Sequence, residues 1–223
     1  MSSSPLVAAV VFHVGPVPIT APVVTTWGIM ALLALGSYLA TRRLDIRPGI
    51  RQTIVEVVVT AIEQQLAEVM HDHAGRFVPL LGALFLFLVF ANLSGVVPGV
   101  APPTARIETA AALALIVFLA TQYFGVKANG LFGYLGSFAR PTLIMLPLNL
   151  IGEITRTFSL MVRLFGNIMS GEFVIGIVFS LAGLFVPIPL MALEILVGLV
   201  QAYIFTMLAA VFIGAATERG AAP

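Results

Sequence analysis

The sequence contains no cysteine. That excludes disulfides, thiol catalysis and thiolate metal sites. It is also poor in charge: 9% of its 223 residues are Asp, Glu, Lys or Arg, against about a quarter in a soluble domain. There is too little polar surface to clothe a water-soluble globule of this size. The formal net charge is +1, so bulk electrostatics point to no nucleic acid. No stretch reads G-x-x-x-x-G-K-[ST], and no polar domain remains to hold a nucleotide. Any ATP involved would bind another chain. Residues 1–22 carry no Lys or Arg ahead of an apolar core, which makes a poor signal peptide. The first spanning helix is expected to act as an uncleaved insertion signal.

What is present is apolar: 60% of the residues are hydrophobic and the mean hydropathy is +1.08. The expected class is an all-α, polytopic membrane protein. It is read as a single membrane domain over 1–223, with no internal repeat and no linker. An N-terminal extracytoplasmic segment, 1–22, leads to a span at 23–40. Arg42, Arg43, Arg47 and Arg51 follow at once. The positive-inside rule makes that end cytoplasmic and puts the N-terminus outside. In 49–74, Ile50, Ile54, Val57, Val58, Ala61, Ile62, Leu66 and Val69 recur at helical spacing, with Glu56, Glu63 and Arg51 away from them. This predicts an amphipathic helix on the cytoplasmic interface or against a partner there. His71 and His73 end it, and as an H-x-H pair at a helix end they read as interfacial rather than metal-binding. Spans at 77–97 and 108–126 flank "NLSGVVPGVAPPTA", whose Gly and Pro predict an outside loop. Lys127 and Arg140 bracket a cytoplasmic Gly-rich loop. Glu108 either lines a polar cavity or sits at the outer interface. Trp27 reads as an interfacial anchor.

The run 141–185 has no clear polar break. As one helix it would be ~68 Å long, about twice a bilayer. It must be steeply tilted, kinked near Gly166 or Gly171, or split. After a turn at Pro187 and Pro189, 190–217 forms a last long helix, closed by Glu218 and Arg219. Five crossings put the C-terminus in the cytoplasm.

Within the long run stands "EITRTFSLMVRLFGNIMSGE". At about 100° per residue, Ser159, Asn167, Arg156, Ser170 and Asn149 all fall within about 40° of Arg163. Glu153 lies at the edge of this stripe, and Glu172 lies about 180° away. The stripe and Glu172 therefore serve different surfaces. In the last helix Glu194, Gly198 and Gln201 share one face. An arginine at membrane depth costs at least ~2.5–3.5 kcal/mol and cannot escape by losing its proton. A structural pair, Arg163 with Glu194 for instance, would not need polar neighbours over five turns. A polar groove or a sliding contact would.

"SLMVRLFGNIMSGE" resembles the R-L-F-G-N signature of subunit a of rotary F-type ATP synthases, the stator of the membrane Fo motor. "LPLNLIGEI", "ILVGLVQAYIFTML" and "NLSGVVPGVAPPTA" extend the resemblance from about Trp27 onward. It implies that Arg163 is the essential stator arginine facing the c-ring, with Gln201 its close polar neighbour. Asn167 and Ser159 would line the interface with the ring or an aqueous half-channel. Glu172 resembles the family's channel acid. Glu194 falls where several relatives carry a histidine and others a glutamate. Arg156 matches an often basic position, and Asn149 and Glu153 match polar positions leading toward the cytoplasm. The resemblance also implies that the last two helices are long and tilted against the ring.

The function expected is ion translocation through two half-channels that do not join. Glu172 and Glu194 would serve the outer path and the stripe from Asn149 and Glu153 to Arg163 the inner one. The chain would not be an enzyme alone and would need no cofactor and no metal. Its expected partners are the c-subunit ring, b-type peripheral stalk subunits, the F1 head through the complex, and membrane lipids. The expected location is the bacterial inner membrane. Protons are the favoured ion. Na⁺ is the alternative, because two carboxyls without a histidine also suit a cation, and because the short N-terminal region resembles the compact subunit a of an alternative F-type operon proposed to move Na⁺. An autonomous secondary transporter, with Arg163 binding a substrate anion, and a purely structural scaffold are the rival readings.

Overall fold

The computed structural model describes residues 10–14, 17–42, 49–70, 74–97, 100–138, 144–183 and 185–218. His71, His73, Arg43, Arg47, Arg140 and Arg219 lie outside them.

Five described helices are long and apolar enough to cross a membrane. They are α1 (Ala21–Thr41), α3 (Ala74–Ser94), α4 (Ile107–Asn129), α6 (Met145–Ala182) and α7 (Pro187–Glu218), and α2 (Ile50–Met70) and α5 (Leu131–Phe138) complete the set. A small antiparallel hairpin, β1 (Val10–Val14) with β2 (Val17–Thr20), precedes α1. The sequence reading drew neither the hairpin nor α5. Residues 131–138 contain two glycines and read as loop on composition. They become helical because Gly130 takes φ 70°, ends α4 with a bond from its N–H to the Val126 carbonyl, and accepts the Tyr134 N–H in turn. Tyr134 then packs on Gly125, where a Cβ would collide with the ring. Its hydroxyl donates to Gln122 Oε1 at 2.9 Å.

The long run resolves into one helix. α6 has 38 residues, so it is about 57 Å long, and neither Gly166 nor Gly171 interrupts it. It ends at Gly183, with φ 74°. Pro187 opens α7, at a position where its missing N–H costs nothing.

The core lies where α2, α3, α4, α6 and α7 meet. Leu66, Leu81, Leu88, Leu164, Phe205 and Ile213 are fully buried there. Ala110, Ala114, Ala202, Ala209 and Ala210 are buried among them and let the backbones approach. Such packing, rather than any hydrophobic drive, holds helices together in lipid. Asn92 Nδ2 in α3 donates to the Gly198 carbonyl of α7 at 2.8 Å, a bond worth about 0.6 kcal/mol by membrane-protein averages. Asn129 Nδ2 donates to the Ala216 carbonyl at 3.0 Å near the other end of α7.

Helix α2 is only half docked. Leu66 and Met70 are buried and Ile62 and Val69 pack beside them, whereas Ile50, Ile54, Val57 and Val58 are exposed. The apolar stripe read from the sequence thus splits between the chain and its surroundings. α1 shows its apolar side chains almost all round. Trp27, Met30, Leu32, Leu35 and Leu39 are each exposed by half or more, as lipid contact requires.

Candidate functional site

Two polar groups sit at the middles of the two longest helices. Arg163 lies 18 residues from Met145 and 19 from Ala182, by subtraction from the ends of α6. It is therefore about 27 Å from either end. Gln201 lies 14 residues into α7, about 21 Å from its start. Their environments differ. Arg163 is exposed and, among the described residues, forms no ion pair or hydrogen bond within the chain. The pairing of Arg163 with Glu194 that would make both groups structural is therefore not made. Gln201 is 3% exposed, and its Nε2 has no partner among the described residues.

The polar stripe runs along the rim of the packed face of α6. Leu160, Leu164 and Ile168 are buried, while Ser159, Arg163 and Ser170 are exposed and Asn167 is half-buried. The N-terminal part of the stripe is more engaged than the sequence reading had it. Asn149 Nδ2 donates to the Phe138 carbonyl at 2.9 Å, a clasp between α6 and α5. Glu153 is buried, with one carboxylate oxygen 3.8 Å from Arg156 Nη1. The Arg156 guanidinium also stands 5.6 Å from the centre of the Phe212 ring of α7, within cation–π range. Tyr203 of α7 donates to Gln65 Oε1 of α2 at 2.8 Å.

Toward the C-terminal end of α6 the polar groups separate into two cavities. Glu172 lines one of about 690 Å³, walled by the start of α4 and by Phe165, Met169 and Ser180. Glu194 lines another of about 200 Å³, together with Asn167, Ser170 and Gly171. The sequence reading placed Glu172 and Glu194 on one path. They line separate cavities, Glu172 leaving α6 opposite the stripe and Glu194 approaching the stripe side from α7, an arrangement that leaves both able to serve one path. The absence of a side chain at Gly171 admits Glu194: a Cβ there would stand 2.5 Å from Glu194 Oε1.

Arg106 and Glu108 also line the larger cavity. The sequence reading left Glu108 between cavity and interface and did not single out Arg106. The only signal was a cation next to a proline-rich turn. That turn, Pro103–Ala105, is buried and packs against α6, which carries Arg106 to the cavity wall. Among the described residues no three His, Cys, Asp or Glu side chains gather as a metal cage.

Comparison with known proteins follows the same residues. The family described as ATP synthase A chain matches residues 23–214. ATP synthase subunit a 2 of a Bradyrhizobium species is 68% identical over 216 residues, which is 97% of this chain and 97% of the relative. ATP synthase subunit a of Albidiferax ferrireducens is 50% identical, covering 94% of this chain and 91% of its own length. ATP synthase subunit a 1 of Chlorobaculum parvum is 46% identical, covering 94% and 93%.

Proposed function

The chain belongs to the ATP synthase A chain family, a membrane subunit with no catalysis of its own, and from that premise we propose that Arg163 is the cation past which a ring of c-subunits carries its carboxyls. The observation that carries this reading is an arginine at the middle of a membrane-crossing helix, exposed and without an ion-pair partner in its own chain among the described residues. A permanent charge at that depth calls for a partner from outside.

The physics of the contact is as follows. A neutral carboxyl on the ring can face lipid; an ionised one cannot, because its desolvation is too costly. At ~4 Å and an effective dielectric near 20, Arg163 attracts a carboxylate by about 4 kcal/mol. That favours release of the proton at this one station and still lets rotation break the contact. Arg163 also bars protons from passing directly between the two sides. Each elementary charge falling through 100 mV yields about 2.3 kcal/mol, and several per ATP drive synthesis on the F1 head.

Two polar approaches reach α6, and both cavities lie on the outer one. Glu172, with Arg106 and Glu108, forms the outer approach. Glu194, Asn167 and Ser170 line the route between it and the arginine, and Gln201 stands beside that route. Glu153 and Arg156 form the inner approach, and Asn149 holds its wall to α5. The ion is the proton. The N-terminus is outside and the C-terminus cytoplasmic in a bacterial inner membrane, with b-type stalk subunits bound to the rest of the chain.

Arg163→Ala in the assembled complex tests this directly. ATP-driven acidification of vesicles should fall to background while subunit composition stays unchanged. Acidification at the wild-type rate would remove the role assigned to Arg163.

A further inference from the structure

The cavity of about 690 Å³ holds three ionisable side chains from two elements: Arg106 and Glu108 at the start of α4, and Glu172 of α6. Glu194 of α7, across α6 from this cavity, is also near enough for its charge to be felt with that of Glu172. Arg106 is half-buried, and Glu108 and Glu172 are exposed and line the cavity. The rest of the wall is mostly apolar, including Phe165, Met169 and Ile177, so these three side chains set the charge of the cavity.

Protons and metal cations make different demands of such a place. A proton binds one carboxylate oxygen covalently, and one oxygen suffices. A hard metal cation needs several oxygens at once and remains a whole charge among them. The fixed charges along a path decide whether such an ion can dwell there. With Arg106 ionised, the three side chains sum to −1. Without it, two carboxylates share an uncompensated cavity. The guanidinium cannot lose its charge and offers donors that compete for the carboxylate oxygens a cation would use.

We propose that Arg106 is a specificity-determining residue of this cavity, keeping metal cations such as Na⁺ off Glu108 and Glu172 while leaving both open to protons. The inference rests on Glu172 belonging to the ion path. It assigns the choice of ion in part to this subunit rather than to its rotor partners alone.

The test uses the whole complex in sealed vesicles with the ATP-hydrolysing head outside, so that the lumen stands for the outer side. ATP-driven proton pumping is compared with NaCl or choline chloride inside at equal ionic strength. The wild type should pump equally well with either. Arg106→Gln should be slowed at least fivefold by luminal Na⁺, and Arg106→Lys, which keeps the charge, should not. Arg106→Gln with Glu108→Gln returns the sum to −1 and should lose most of the sensitivity. Arg106→His serves if the glutamine variant assembles poorly. It should be indifferent to Na⁺ at about pH 6, where imidazole is charged, and sensitive at about pH 8. Equal pumping by Arg106→Gln in Na⁺ and choline overturns the inference, as does Na⁺ uptake by the wild type. Glu172→Gln separates the two levels. If it pumps at the wild-type rate, the path reading fails and this inference with it. If it slows pumping while Arg106→Gln ignores Na⁺, the inference alone fails.

Discussion

Arg163 and Leu164 are neighbours in the chain and opposites in the structure. Leu164 is fully buried against the rest of the protein, while Arg163 is exposed. The same contrast runs along α6. Leu160, Leu164 and Ile168 are sealed into the core, and Ser159, Arg163 and Ser170 look away from it. One helix thus has one face committed to this chain and one left for something else. A leucine in the outward positions would be cheaper in lipid by the cost of a polar group at membrane depth, so packing within this chain does not account for the outward face.

Exchanging the two neighbours should break the contrast most completely. The double variant Arg163→Leu, Leu164→Arg buries a cation in the core and strips the outer face. Neither assembled complex in membranes nor ATP-driven pumping should be detectable. The next largest effect is confined to one face. Leu164→Ala removes a buried side chain and costs about 2–5 kcal/mol by soluble-protein precedent. The amount of assembled complex, measured on blots of the membranes, should drop several-fold while pumping per complex stays near the wild type. If pumping per complex fell as far as the amount, the two faces would not be separable.

Gly171 sits where the faces meet. Gly171→Ala puts a methyl 2.5 Å from the present position of Glu194 Oε1, so that carboxyl must move. Pumping should fall several-fold with assembly unchanged, and Glu194→Asp, shorter by one methylene, should restore part of it in the double variant. Ser159→Ala is the mildest change. It removes one hydroxyl from the exposed rim, and pumping within twofold of the wild type is expected. A larger loss would move Ser159 from the rim into the ion path.

The features legible in the sequence are those that depend on neighbours along the chain. Hydropathy showed five spans, and helical periodicity placed Arg163, Ser159, Asn167 and Ser170 on one stripe with Glu172 opposite. Both are local properties of a helix. The features that were missed depend on contacts far along the chain. α5 exists because Tyr134 finds Gly125 and because Gly130 turns the chain back. α2 buries Leu66 and Met70 but not Ile50, because only its second half reaches α3 and α7. Arg106 is a turn residue by sequence and a cavity residue only because Pro103–Ala105 packs on α6.

The residues alone determined that this chain lives in a membrane and that α6 carries a polar stripe around Arg163 with Glu172 opposite. Too little polar surface and a 3.6-residue repeat admit no other arrangement. Which polar groups share a space was decided by the tertiary structure. Glu172 meets Arg106 and Glu108 on one side of α6, and Glu194 enters over Gly171 on the other. Helix rotation and side-chain volume across separate segments set those meetings, and no spacing within one segment encodes them.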